Sequence, residues 1–365
     1  MRITIVTNAF GCGGSERVVA LWCKGFTDRS HQVTVLNMSH PDNMRFFPLP
    51  VSVKVISLDM MQTSQNGREA VSATVKRLTK MRRIIPQTKP DRVITLYPQL
   101  NVLTILALSG TGIPVYVSEH NDPNLCANGE IWETLRPWVY RWAAKVVSVS
   151  QGVDRAMNYL PSHKRCVIFN PVVPQIADSP LPPIAGADPD RPWMVSMGRL
   201  SYQKGYDLLI PAFARLADRY PDWQLVIMGE GDDRKKLETL RDGLGMKTRI
   251  LMPGSIQSIA PVLHKAELFV MASRFEGFPM AHLEALSSGL PVVVTDCESG
   301  PREIVRHGVD GLLVKTEDID ALTKGMDQLM NNSALRRQFA QRAPEVIDRF
   351  GMEKVMDDWA LMMKL

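Results

Sequence analysis

The sequence is poor in cysteine, has no long apolar run and, over its first half, is short of acid. Five cysteines (Cys12, Cys23, Cys126, Cys166 and Cys297) are scattered through 365 residues without a Cys-x-x-Cys pair. Neither a disulfide framework nor a zinc site is therefore expected, and most of the thiols read as small buried residues. The longest apolar stretches, such as 102–108, fall well short of a membrane span. After Arg2, the stretch Ile3–Val6 is broken by Thr4 and soon meets Asn8, which does not make the apolar core of a signal peptide. The expectation is a cytoplasmic chain that does not cross a bilayer. Up to Val172 there are 20 Lys and Arg against 11 Asp and Glu, and beyond it 23 against 27. A basic first half calls for an anionic partner: a membrane surface, a phosphate-bearing acceptor or nucleic acid. No recognition-helix, finger or RNA-binding-sheet signature is present, so nucleic acid is set aside.

What is present is an alternation. Short β-branched runs recur, each followed by a helical pattern: "RITIVT", "HQVTVLN", "VKVISLD", "DRVITLY", "PVYVSEH", "KVVSVS" and "CVIFNP". A proline-rich stretch between Pro171 and Pro192 follows neither period and reads as a linker. The rhythm then restarts with "WMVSMGRL", "WQLVIMGEG", "TRILMPG", "AELFVMAS", "LPVVVTD" and "DGLLV". This predicts an α/β protein of two doubly wound parallel-sheet domains, over 1–172 and 193–345, with a linker at 173–192 and the ligand in the cleft between them. The tail, 346–365, carries Val355, Trp359 and Met362 at helical spacing and is expected to pack back on the N-terminal domain.

Four clusters could carry chemistry. In "ASRFEGFPMAHLEALSSG", Glu276 and Glu284 bracket Gly277, Phe278, Pro279 and Met280. Pro279 suits the first position of a helix whose free N–H groups could receive a phosphate, and Gly277 permits close backbone approach. Glu276 could accept hydrogen bonds from a polyhydroxylated ligand and Glu284 could hold a diol such as a ribose. The alternative is a loop carboxylate and a solvent-facing one. In "SMGRLSYQKGYD", Gly198, Arg199 and Lys204 follow a strand, and the two cations could neutralise a diphosphate or be surface charge. "TNAFGCGGSERVVA" offers Gly13 and Gly14 to a phosphate. Glu16 stands where a dinucleotide fingerprint has its third glycine, and the next strand ends in Asn37 rather than an acid, which argues against a nicotinamide cofactor. "VSEHND" ends a strand with His120, either a ligand contact or a structural histidine.

Taken together, Glu276 and Glu284 with seven residues between them, "EGFP", "EALSSGLPVV", "GRLSYQKG", "GGSE" and a histidine ending a middle N-terminal strand resemble the retaining glycosyltransferases of family 4, which have the two-domain GT-B fold. The resemblance spans nearly the whole chain and is denser in the second half. It implies an acceptor domain of Rossmann type over 1–172 and a nucleotide-sugar donor domain over 193–345. Arg199 and Lys204 would bind the donor diphosphate, Glu276 the sugar hydroxyls and Glu284 the ribose. The backbone of Gly277, Phe278, Pro279 and Met280 would touch sugar and phosphate. Gly13, Gly14 and Gly198 would line the donor, and His120 and Glu303, the latter in "SGPREIV", would lie near its sugar. Relatives often have His-Asp where this chain has His120-Asn121, so no role passes to Asn121.

The resemblance further implies front-face attack with retention, no metal and no cofactor, with a nucleotide diphosphate sugar as substrate, uridine diphosphate first. "DPD" at 188–190 and "DID" at 318–320 fall in the linker and at a helix start and are not read as metal sites. The implied acceptor is a lipid-linked or surface glycan. A sugar-nucleotide 2-epimerase and a non-catalytic binding or scaffold protein are the alternatives. In "VSATVKRLTKMRRIIP" the stripe Val71, Val75, Leu78 and Met81 lies among Lys76, Arg77, Lys80, Arg82 and Arg83, so that 71–85 either meets anionic lipid or packs on the sheet. In "IWETLRPWVYRW", Trp132, Trp138 and Trp142 are expected in the core.

Overall fold

The computed structural model describes residues 1–40, 46–61, 67–123, 125 and 129–365. The chain divides into two compact units, Met1–Pro171 with Met352–Leu365, and Val172–Gly351. Cys126 lies outside the described residues.

In the first unit seven strands are seen among the described residues: β1 (Arg2–Thr7), β2 (Gln32–Asn37), β3 (Lys54–Ser57), β4 (Arg92–Leu96), β5 (Val115–Glu119), β6 (Lys145–Ser148) and β7 (Arg165–Val167). All pair in parallel, in the order β3-β2-β1-β4-β5-β6-β7. Burial on both faces explains why β4 and β5 show no alternation of polar and apolar residues: 93–96 and 115–119 are buried throughout, the polar Thr95, Ser118 and Glu119 included. The helices are α1 (Gly14–Asp28), α2 (Gly67–Gln87), α3 (Pro98–Leu108), α4 (Glu130–Val139) and α5 (Gln151–Ala156). The apolar α3 is buried on nearly every side and packs between α2 and α4.

That layer corrects two expectations. Only the C-terminal half of the α2 stripe enters the core: Met81 and Ile85 are fully buried, while Val71 and Val75 are 66% and 55% exposed. Three of its cations are committed to backbone carbonyls, Arg77 to Met60, Lys80 to Leu58 and Arg82 to Ala107 and Ser109. Trp138 and Trp142 are 66% and 65% exposed, not core residues. The inward side of this segment is already filled by Arg136, Val139 and Tyr140, and helical spacing turns the two indoles the other way.

The tail forms the last helix, α14 (Met352–Met363), and packs on α1. Its Trp359 ring meets Trp22 edge-on at 5.0 Å and Phe26 at 6.4 Å, and Arg29 pairs with Glu353 and Asp357. The buried stripe is Val355, Trp359 and Met363; Met362 is only half-buried.

The second unit repeats the plan with β8 (Trp193–Met197), β9 (Gln224–Met228), β10 (Ile250–Gly254), β11 (Leu268–Met271), β12 (Val292–Thr295) and β13 (Gly311–Val314), in the order β10-β9-β8-β11-β12-β13. Its helices are α6 (Tyr206–Ala214), α7 (Arg234–Gly243), α8 (Ala260–Lys265), α9 (Met280–Ser287), α10 (Pro301–Ile304), α11 (Ile319–Asn331), α12 (Ser333–Arg342) and α13 (Val346–Phe350). The chain returns to the first unit at Met352 rather than Val346, because α13 packs on α9. The segment 173–192 carries no helix or strand. Its Asp188 accepts from the Asp190 backbone N–H and, through its carbonyl, from the Trp193 indole, while Asp318 caps α11.

Cys23 and Cys297 are buried, which pushes both thiols up to about 12; Cys166 is half-buried and Cys12 is exposed, against the expectation for most thiols. Trp359→Ala should lower the stability of the first unit by about 3 to 5 kcal/mol through lost packing on Trp22 and Phe26. Met362→Ala should cost less than about 1 kcal/mol. Denaturant titration of both variants checks this, and equal effects would contradict the stripe.

Candidate functional site

In each sheet the strand order reverses at one point, between β1 and β4 in the first unit and between β8 and β11 in the second. Loops leaving the carboxyl ends of the two strands diverge there and open a crevice. In the second unit the loop after β8 carries Gly198, Arg199 and Lys204, and the loop after β11 carries Glu276.

These loops are held at backbone contact distance. Gly205 has φ +64°, and a Cβ there would lie 2.0 Å from the Ala272 carbonyl oxygen. A Cβ on Gly229 would lie 2.0 Å from the Gly198 carbonyl oxygen. The Arg274 N–H donates to Gln203 O and the Gln203 amide donates to Phe275 O, tying the two loops directly. Arg274 also pairs with Asp207 and Glu317, and its guanidinium stacks 4.0 Å from the Tyr202 ring centroid; the Asp207 hydrogen bonds hold it protonated.

Glu276 and Glu284 are 6% and 7% exposed, which removes the reading of a solvated loop and a solvent face. Lys204 Nζ meets Glu276 Oε1 at 2.5 Å, and Ser273 Oγ donates to the same oxygen at 2.7 Å. Ser273 is fixed in turn, since Thr295 Oγ1 donates to its carbonyl. Two groups assigned from the sequence to different parts of a donor are thus ion-paired with each other. Arg199, two residues beyond β8, is exposed and has no ion pair among the described residues. Helix α9 begins at Met280, with Pro279 as the residue before its first turn, and no side chain caps it. Phe278 and Met280 are buried, Phe278 edge-on to Phe350 at 5.2 Å.

The close approach assigned to Gly277 is provided by Gly300. Its φ is +87°, and a Cβ there would lie 2.6 Å from the Gly277 carbonyl oxygen. This contact brings α10, with half-buried Glu303, beside the Glu276 loop. Arg349 donates to the carbonyls of Glu303 and Ile304 at the end of α10.

At the switch point of the first unit Gly13 precedes α1 and Gly14 is its first residue. Glu16 turns back over this end: its Oε2 would lie 2.4 Å from a Cβ on Gly13, and its Oε1 accepts from the Tyr97 hydroxyl at 2.8 Å. Tyr97 follows β4 with φ +72°, and burial keeps its hydroxyl protonated as a donor. Asn37 is bound to Ser57 and Ser39, a structural use that leaves it no ribose-binding part. His120 follows β5, with its ring 5.8 Å from Trp22 and its Nε2 3.1 Å from Ser118 Oγ; burial lowers its pKa to about 4. Together with Tyr97, Glu119, Asn121, Asp122 and Arg136 it lines a small pocket. Glu119 is fully buried, accepts from Tyr140 and Asn101, and is held above the usual carboxylate range by desolvation, which the Arg136 charge opposes.

The residues missed from sequence are Ser273, Arg274 and Gln203, which position rather than bear the chemistry, and Gly300. Only "SGP" before a helix signalled the last of these. His282, within α9, was also passed over. It is 1% exposed, neither ring nitrogen has a hydrogen-bond partner, and burial lowers its pKa to about 3.

Lys204→Ala leaves Glu276 buried without its cation and should cost about 3 kcal/mol, with Glu276→Ala in the same chain restoring part of it in a double-mutant cycle. His282 binds a proton more readily in the unfolded chain, so it lowers stability as pH falls from 6.5 towards 3. His282→Gln should flatten that acid limb by up to about 1.4 kcal/mol per pH unit. Chemical denaturation at several pH values measures it, and an unchanged slope would contradict the buried neutral ring.

Residues 13–171 match the family model described as a glycosyl transferase 4-like domain, and residues 180–346 match that for glycosyl transferases group 1. The chain is 23% identical to an uncharacterised glycosyltransferase of Haemophilus influenzae over 97% of both chains. It is 22% identical to an undecaprenol-diphosphate-saccharide alpha-1,4-N-acetyl-D-galactosaminyltransferase of Campylobacter jejuni, over 98% of this chain and 97% of that one. Among solved structures, TarM of S. aureus superposes with a TM-score of 0.82 at 13% identity, covering all of both chains. The lipopolysaccharide outer core galactosyltransferase WaaB superposes with 0.72 at 22%, again covering both in full. With a matching family model on each half and two parallel-sheet α/β units, the chain belongs to the family 4 type of glycosyltransferases with the GT-B fold.

Proposed function

We propose that this glycosyltransferase moves a hexose or N-acetylhexosamine, with retention of configuration and without a metal ion, from a uridine diphosphate sugar to a lipid-linked or surface glycan. The observation that carries the reading is the second unit's switch point. There a buried carboxylate, Glu276, is locked to Lys204, with exposed Arg199 on the same loop as Lys204 and the uncapped start of α9 following Glu276. Arg199 as a fork, Lys204 as a point charge and the helix N–H groups would together take the charge of a departing diphosphate. Glu276 would read the sugar hydroxyls, Glu284 the ribose diol, and the backbone of Gly277–Met280 would lie against sugar and phosphate. Glu303 would border the sugar.

In the proposed reaction the bond from the sugar's anomeric carbon to the phosphate oxygen breaks. The acceptor oxygen bonds the same face, and its proton passes to a phosphate oxygen of the leaving nucleotide. The positive charge needed is then supplied by side chains and backbone. The donor assignment is supported by likeness to HepE of Anabaena, whose structure was solved with UDP-glucose. The acceptor assignment is supported by the undecaprenol-linked substrate named for the Campylobacter relative and by the amylovoran biosynthesis glycosyltransferase of Erwinia amylovora, 23% identical over 98% of this chain. The proposed setting is the cytoplasmic face of a membrane, where such acceptors are presented; no helix among the described residues is long and apolar enough to cross it.

Calorimetry with UDP, GDP and ADP should give binding to UDP alone, weakened about tenfold or more by Glu284→Ala through loss of charged hydrogen bonds. Binding of all three alike, or an unaffected variant, would overturn the donor assignment. NMR of the product should show the donor's anomeric configuration, with turnover unchanged by chelator. An inverted anomer would sink the retaining mechanism, and loss of activity restored by added metal would sink the metal-free one.

A further inference from the structure

The solvent side of α4 is apolar along a line. Ile131 is 70% exposed, Leu135 38%, Trp138 66% and Trp142, in the 3-10 turn that continues the helix, 65%. The spacings of four, three and four residues put all of them on one face, opposite the buried Arg136, Val139 and Tyr140. Local folding does not require two exposed indoles there, because the core side of the helix is already filled.

We propose that this face, Ile131–Leu135–Trp138–Trp142 with Arg141, is where the protein docks on an anionic lipid bilayer. The inference rests on the lipid-linked acceptor reading above and moves the contact from α2, where the basic sequence suggested it, to α4. On α2, Arg77, Lys80 and Arg82 already donate to carbonyls. In the 3-10 turn that continues α4, the exposed Arg141 guanidinium lies 5.2 Å from the Trp138 ring centroid, so the cation and the indole are presented together. That pairing suits the lipid headgroup layer, where an indole sits between acyl chains and water and a guanidinium meets phosphate. Charge complementarity favours the same occupant: the chain up to Val172 carries 20 Lys and Arg against 11 Asp and Glu. The one carboxylate described on the helix, Glu133, is turned to Arg136. Val71 and Val75 of α2, which is separated from α4 by α3, are exposed as well.

The test is co-flotation of the full chain with two vesicle types: phosphatidylcholine alone, and phosphatidylcholine with about one third phosphatidylglycerol. Wild type should float with the anionic vesicles and show blue-shifted tryptophan emission. Trp138→Ala/Trp142→Ala should lower partitioning about tenfold or more, and Arg141→Glu should lower it on anionic vesicles only. Thermal melting checks that each variant is folded. Wild type that binds neither vesicle type, or a folded double variant that binds as well as wild type, would overturn the surface. So would light scattering that shows a dimer broken by the same substitutions, because a second copy would then be the occupant. Transfer to a water-soluble acceptor by wild type is measured in parallel. Transfer without vesicle binding refutes the docking face and leaves the function standing; vesicle binding without transfer refutes the function and leaves the face.

Discussion

The carboxylate of Glu276 is the point on which the second unit's site depends. A nearly buried charge is tolerated only when it is paired and hydrogen-bonded, and here one oxygen receives both Lys204 Nζ and Ser273 Oγ. That requirement draws together loops that leave neighbouring strands β8 and β11. Their backbones meet because Gly205 has no side chain to collide with the Ala272 carbonyl, and Arg274 and Gln203 stitch the seam. Arg199 remains at the surface of the same loop with no ion pair among the described residues, while the start of α9 follows four residues after the buried carboxylate. The buried pair, the exposed arginine and the helix start are placed by two loops and one helix end.

The first unit follows the same strand order with one further strand, and its switch point is built differently. Glu16 folds back over the start of α1 and is held by Tyr97, so the glycine loop is faced by the chain's own carboxylate. At the end of β5, a buried cluster of Glu119, Tyr140, Asn101 and Arg136 lies beside His120, whose ring is neutral at ordinary pH. One fold thus supports two chemically distinct crevices: in the second unit a Lys204–Glu276 pair lies beside an exposed Arg199, and in the first the glycine loop is faced by Glu16.

Strands, helix starts and the linker were legible in the sequence because they are local. β-branched runs, the proline-rich stretch and Gly289 after α9 report their own backbone preferences, and every run quoted as a strand overlaps one. The site was legible in part, through the residues that would carry chemistry: Glu276, Glu284, Arg199 and Lys204. Their positioning partners were not. Ser273, Gln203 and Gly300 are ordinary residues in sequence, and each gains its part from a neighbour up to tens of residues away.

Sequence by itself determined the two α/β units, the strand ends at which candidate residues fall, the uneven charge and, through its motifs, the family resemblance. Tertiary structure alone decided which side of each helix faces the core. Periodicity identifies an apolar stripe but not what covers it. It made Trp138 and Trp142 look like core residues when Val139 and Tyr140 had taken that side, and it offered Met362 where Met363 is the one that packs. The same limit explains the ion pair at the site: charge spacing along the chain says which groups are available, and only the meeting of β8 and β11 loops decides that Lys204 and Glu276 bind each other.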